Sequence, residues 1–344
     1  MSQSRANTSS ARAAYPGTRS RDDHCDVGRT ETGDTRMHRK IALVASAIAG
    51  SAAAVALLRY WGRLRQTPEL TEESRLSGIR GRWVQAGPYR MFARTASTTD
   101  ATATNGFAAR PPVILVHGLV VSSRYMEPLA LALARWFPVF APDLPGFGES
   151  ALCGRWLDLP GLADALHLWL VATGLRPAVL VGNSFGCQIL TELAARHPGD
   201  VKALVLQGPT ADRRARHLPV QIWRALVNGR RERPHSPAAP GRIDYAKAGL
   251  LRALATMRIM IRDRIENRLP LVRAPVLVVC GSRDPVSPRE WAIEVTARLR
   301  CAQLVIIDGG THTLNYVYPN SLALAIRQFV DALPGEPSGR MEQP

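Results

Sequence analysis

Cysteine, aromatic and acidic residues are all scarce in this sequence. Its 344 residues hold five cysteines, which do not make a disulfide framework, and no Cys/His spacing suggests a zinc site. No glycine loop of the phosphate-cradling type occurs, so nucleotide chemistry is not indicated. Aromatics make up 6% of the chain and do not interleave with basic residues beyond Trp223, which argues against a nucleic-acid surface. No internal repeat is evident. The 28 acidic residues face 44 basic ones, mostly arginine, for a formal net charge of +16.

What is present begins with a hydrophobic run. Residues 1–40 are polar, charged and poor in large apolar side chains, which predicts a disordered segment. Ile41–Leu58 is then eighteen residues without a charge, preceded by Arg36, Arg39 and Lys40 and followed by Arg59, Arg63 and Arg65. As a helix it would span roughly 27 Å, close to a bilayer core. Three readings stand: a signal anchor, which is favoured, a cleaved export signal, or a surface or buried helix. Positive charge at both ends leaves the orientation unread. Met37 is an alternative start to Met1. Residues 59–81 read as a linker and 334–344 as a disordered tail. Apart from the anchor, the chain is expected to be cytoplasmic.

From residue 82 to 333 the pattern changes to short apolar runs alternating with helical stretches. Arg82–Gln85 and Tyr89–Thr95 read as a hairpin. Strands are predicted at Val113–Val116, Val139–Ala141, Ala178–Val181, Ala203–Leu206, Val276–Cys280 and Leu304–Ile307. The intervening helices are Tyr125–Trp136, Gly161–Thr173, Phe185–His197, Pro288–Leu299 and Asn320–Ala332. Such alternation builds a parallel sheet with helices on both faces, here as one domain with ample core. Between Gly208 and Val272 the alternation breaks. Asp212–Arg273 holds fifteen basic and five acidic residues, a net of +10. Within it, Leu218–Val227 and Leu250–Ile265 read as amphipathic helices, with Trp223, Met257 and Met260 among their apolar residues.

Ser184 carries the chemistry. It sits at the apex of Gly182-Asn183-Ser184-Phe185-Gly186, between a strand and a helix. A sharp turn there pushes Oγ out of the sheet, the glycines let neighbouring backbone pass close, and the helix N-terminus favours developing negative charge. A nucleophilic serine needs a base and an orienting acid further along, in the order Ser, Asp or Glu, His. Of eight histidines, His312 alone follows the elbow in a glycine-flanked loop at a strand end. Asp284, in Gly281-Ser282-Arg283-Asp284-Pro285, occupies the equivalent place after the preceding strand, with Asp212 as the fallback acid. The oxyanion hole is expected from the backbone N–H of Phe185 and of Leu119, with Val120 as the alternative to the latter. His117 and Asp143 read as structural.

The motifs Val116-His117-Gly118, Pro142-Asp143-Leu144-Pro145-Gly146-Phe147-Gly148-Glu149-Ser150, the serine elbow, the Asp284 loop and Gly310-Thr311-His312 resemble the α/β-hydrolase superfamily from about Trp83 to Leu333. The resemblance implies a mostly parallel eight-stranded sheet with helices on both faces. It also implies a helical lid inserted after strand six, residues 209–272. Serine at the apex is unlike haloalkane dehalogenases and epoxide hydrolases, which carry aspartate there. Within that superfamily the short lid and the Gly-Asn-Ser-Phe-Gly elbow resemble the branch of esterases and meta-cleavage-product hydrolases.

The expected reaction is hydrolysis of a carboxylic ester with an apolar acyl group through an acyl-enzyme, which needs no cofactor or metal. The alternatives are C–C bond hydrolysis and a slow hydrolase acting as a small-molecule receptor. The basic lid is either a contact for an anionic membrane surface or a solvated face. The substrate is a small ester or a lipid-like one, and no nucleic-acid partner is expected.

Overall fold

Short, continuously apolar strands build the centre of the molecule. In the computed structural model, which describes residues 33–97, 110–150, 156–232 and 236–333, eight strands form one sheet. They are β1 (Arg80–Ala86), β2 (Tyr89–Ala96), β3 (Val113–Val116), β4 (Val139–Pro142), β5 (Ala178–Asn183), β6 (Val201–Gln207), β7 (Val276–Gly281) and β8 (Ala302–Ile307). Their spatial order is β1-β2-β4-β3-β5-β6-β7-β8. The β1–β2 and β2–β4 pairings are antiparallel and all the others parallel. Every residue of β3 is apolar and buried, as a central strand covered on both faces requires. Val113 and Leu115 enter one core with Phe137, Leu322 and Ile326. Ile114 and Val116 enter the other with Trp169 and Trp291.

The α-helices are α1 (Gly33–Arg65), α2 (Glu72–Leu76), α3 (Glu127–Leu133), α4 (Leu159–Thr173), α5 (Phe185–Arg196), α6 (Leu218–Arg231), α7 (Ala238–Ala248), α8 (Leu250–Arg262), α9 (Arg289–Arg298), α10 (Leu314–Val317) and α11 (Pro319–Asp331). Helices α4, α5 and α9 supply one core, α3 and α11 the other. α4 starts at Leu159 because the Asp158 side chain caps it, accepting from Gly161 N–H at 2.9 Å.

The chain divides into two compact units, Met1–Leu57 and Leu58–Pro344. The first contributes most of α1, whose segment Met37–Arg65 is long and apolar enough to cross a membrane. Ser51 within it donates to the Ala47 carbonyl at 2.8 Å, which satisfies its hydroxyl inside the helix. Residues 1–32, most of the loop before β3, and the tail 334–344 lie outside the described residues, and so do the expectations that fall on them.

The structure differs from expectation in three places. Residues 33–40 are helical rather than disordered, since the helix of the apolar run extends through both charged flanks. Residues 59–81 are not a free linker. Arg65 Nε donates to Ala246 O at 2.7 Å, Arg124 donates to Pro68 O at 2.8 Å, and Ser74 Oγ donates to Glu127 at 2.7 Å. Between β6 and β7 the described residues of the insert form three α-helices, not two. The added helix, α7, carries Pro240 in its first turn, where a missing N–H has no intrahelical partner to lose. α8 ends at Arg262, short of Ile265, where Asp263 turns extended and takes two bonds from Arg268 at 2.6 and 2.7 Å.

Candidate active site

β5 runs straight into Ser184, whose φ of 55° and ψ of −115° lie where a non-glycine residue is strained. Ser184 N–H donates to Gln207 O at 2.9 Å, fixing the apex against the end of β6. The flanking glycines are required by contact. A Cβ at Gly186 would stand 2.5 Å from Val116 O, and one at Gly182 would stand 2.8 Å from the Gly186 carbonyl carbon. Phe185 is the first residue of α5, where an N–H has no intrahelical acceptor.

The loop after β3 presses against this apex. A Cβ at Gly118 would lie 2.8 Å from Asn183 Oδ1 and 3.4 Å from Ser184 Cβ. Leu119 follows and lines the same pocket as Ser184, while the next residue, Val120, has a φ of 56°. His117 is buried behind the loop with both ring nitrogens engaged. Nδ1 meets Gly118 O at 3.0 Å and Nε2 accepts from Leu144 N–H at 3.2 Å. Burial lowers its pKa, so it sits neutral as a strut. Asp143 accepts from Ser123 N–H at 2.7 Å and Glu149 N–H at 2.8 Å, which ties its carboxylate into the loop scaffold.

Asp284 and His312 come together at the ends of β7 and β8. His312 Nδ1 lies 2.8 Å from Asp284 Oδ2, so the ring proton sits on Nδ1 and Nε2 is left for other work. Asp284 Oδ1 accepts from Val286 and Ser287 N–H at 2.8 and 2.9 Å, which fixes the carboxylate. Burial alone would lower the His312 pKa. The Asp284 carboxylate, by charge and hydrogen bond, and Glu232, by charge, outweigh that and raise it above the usual 6.5. Gly208, at φ 58°, leaves room for the pair, since a Cβ there would stand 3.0 Å from the imidazole. Asp212 pairs instead with Arg224 at 3.0 Å.

Ser184, Leu119 and His312 line one pocket of about 320 Å³. The insert supplies much of its wall through Met257, Met260 and Tyr245, whereas Trp223 is 62% exposed. Several residues that motif reading passes over hold the site together. Asn183 Nδ2 donates to Gln207 Oε1, and Gln207 Nε2 donates to His312 O at 2.8 Å. From the end of α6, Asn228 Oδ1 accepts from His312 N–H at 3.0 Å. Glu232 Oε1 accepts from Thr313 N–H at 3.0 Å and Oγ1 at 2.6 Å. Asn183 alone carried a signal, its place inside the elbow. The thiols of Cys187 and Cys280 are buried, and burial pushes that of Cys280 up to about 12, which leaves it inert. Among the described residues no group of His, Cys, Asp and Glu could hold a metal ion.

A sequence profile of the alpha/beta hydrolase family matches residues 113–323, more than half of the chain. The chain is 27% identical over 259 residues to a pimeloyl-[acyl-carrier protein] methyl ester esterase of Neisseria meningitidis serogroup A / serotype 4A (strain DSM 15465 / Z2491), a match that covers 66% of this chain and 79% of the relative. A solved membrane phospholipase A, described as a novel bacterial virulence factor, matches with a TM-score of 0.58 at 24% identity, covering 86% of this chain and 98% of its own. The 2-hydroxy-6-oxo-6-phenylhexa-2,4-dienoate hydrolase of Rhodococcus sp. strain RHA1 matches with a TM-score of 0.58 at 18% identity, covering 74% and 99%. These two structures speak to the fold. On the extent of the profile match and the fold it shares, the chain belongs to the alpha/beta hydrolase family.

Proposed function

We propose that this enzyme is a serine hydrolase that cleaves carboxylic esters of apolar acyl groups and is tethered to a membrane by α1. The observation that carries the reading is the sharing of one pocket by the strained Ser184 and by a His312 whose other nitrogen is held by Asp284.

In this reading Ser184 Oγ attacks the ester carbonyl while His312 Nε2 takes its proton. Asp284 stabilises the imidazolium and keeps the tautomer. The N–H groups of Leu119 and Phe185 receive the oxyanion. His312 returns the proton to the leaving alcohol, and water then releases the acyl group by the same route. Helices α6–α8 act as the lid, with Met257 and Met260 against the acyl chain. The outer side of the lid exposes Leu218, Ile222, Trp223 and Leu226 on an arginine-rich segment, which suits an anionic membrane surface. The likeness to a structure described as a membrane phospholipase A is in keeping with a lipid-like ester.

C–C hydrolysis of a dienoate is the second reading, favoured by the likeness to the Rhodococcus enzyme. Such a substrate carries a carboxylate, and among the described residues no arginine or lysine lines the pocket to receive it. The test is labelling with a fluorophosphonate probe together with turnover of p-nitrophenyl esters from acetate to palmitate and of one C–C hydrolase substrate. Labelling and ester turnover that both vanish in Ser184→Ala support the proposal. Ester turnover that survives in a folded Ser184→Ala protein refutes it.

A further inference from the structure

The insert carries a net charge of +10, yet the charge it brings to the pocket is negative. Four of its arginines are engaged elsewhere: Arg213 with Glu294, Arg216 with Glu266, Arg224 with Asp212 and Arg268 with Asp263. Arg252 lies over the rings of Phe147 and Trp156. Among the described residues the only carboxylate lining the pocket is Glu232, which is 3% exposed. It stands just past the end of α6, where the helix dipole disfavours an anion, so helix stability does not account for it. Its bonds to Thr313 hold it one residue from His312.

A buried carboxylate in a pocket with no arginine or lysine among its described lining residues repels a second carboxylate, and low solvent exposure leaves that repulsion weakly screened. The protein's overall positive charge would instead draw anions toward it, so rejection of an anion has to come from inside the pocket. We propose that Glu232 is a specificity-determining residue that closes the pocket to acyl groups bearing a free carboxylate and admits neutral or cationic ones. The proposal rests on the ester-hydrolase reading above. Glu232 also contributes to the raised pKa of His312, in keeping with a negative charge sensed at the reacting centre.

The experiment compares three p-nitrophenyl esters of one acyl length, ending in a methyl, a carboxylate or a trimethylammonium group. In the wild-type protein kcat/KM should rank trimethylammonium at or above methyl, and both at least about tenfold above carboxylate. Glu232→Gln keeps an oxygen for Thr313 and removes the charge. Its carboxylate-to-methyl ratio should rise about tenfold, whatever happens to the absolute rates, because a positioning loss lowers both esters alike. A wild-type enzyme that takes the carboxylate ester as well as the methyl ester overturns the proposal. So does an unchanged ratio in a folded Glu232→Gln protein. Should that variant not fold, the wild-type ranking decides alone, and any other order overturns the proposal. Absence of turnover on all three esters, or turnover that survives Ser184→Ala, would instead strike the hydrolase reading.

Discussion

Asn183, the residue before the proposed nucleophile, is joined through Gln207 to the backbone of the proposed base: its amide donates to Gln207 Oε1, and Gln207 Nε2 donates to His312 O at 2.8 Å. Three chain segments far apart in sequence are thereby held in one register. Gln207→Leu breaks both bonds while keeping the side chain about the same size. Misplacing a reacting group by about an ångström costs on the order of a hundredfold. We expect kcat/KM to fall by about that factor with a thermal midpoint within a few degrees of wild type, read from ester turnover and a melting curve.

Asp284→Asn should leave the fold intact and lower kcat by about 10⁴-fold, because the amide no longer holds the His312 proton on Nδ1. His312→Ala should cost nearly as much as loss of Ser184. Retention of most activity by Asp284→Asn would mean that the orienting acid is another residue.

The pH profile follows from the same pair. A general base works only when neutral, and His312 stays protonated to a pH above its usual 6.5. Activity should therefore rise with pH through an apparent pKa above 6.5 and be lost below it. In Glu232→Gln, which lacks one of the charges that raise it, the rising limb should move to lower pH. A limb that stays put in the variant would deny the electrostatic link between the two residues.

Asp244 of α7 accepts from Ser122 N–H at 2.9 Å and from its hydroxyl at 2.8 Å, tying the insert to the loop that follows Leu119. Burial, helped by the charge of Asp143 and opposed by Ser122, Arg124 and Arg94, raises its pKa from 3.8 to about 7. The folded protein thus keeps a proton that the unfolded chain loses, so this contribution to stability is present at low pH and fades between about 4 and about 7. Asp244→Asn can keep both bonds, since its amide can donate to the serine hydroxyl. It should flatten the decline of stability across that window, as measured by denaturant unfolding at several pH values.

Attachment to membrane is decided by fractionation. The full chain should pellet with membranes and resist high salt, while a chain beginning at Leu58 should be soluble and active. The cut cannot fall much later, because Arg65 bonds Ala246 O and Lys247 bonds Thr67 O, which hold this stretch on the insert. The shortened chain should still bind anionic vesicles, but not neutral ones, in a salt-sensitive way, with each well-placed cation contributing about 1 kcal/mol. Full-length protein that is soluble without detergent would rule out the tether.

By itself the sequence determined the sheet, because buried strands must be apolar and short, and the elbow, because a strained apex needs small neighbours at Gly182 and Gly186. The placement of Ser184, Asp284 and His312 after the ends of β5, β7 and β8 was legible for the same reason: loops at the carboxyl ends of parallel strands converge. The insert was legible only as amphipathic and basic. Its third helix, α7, hides behind proline and glycine, and which of its charged residues face inward is set by long-range pairing rather than by period. That Glu232 enters the pocket while Arg216 and Arg224 turn to Glu266 and Asp212 depends on partners roughly ten to eighty residues away, and only packing in three dimensions decides such matches.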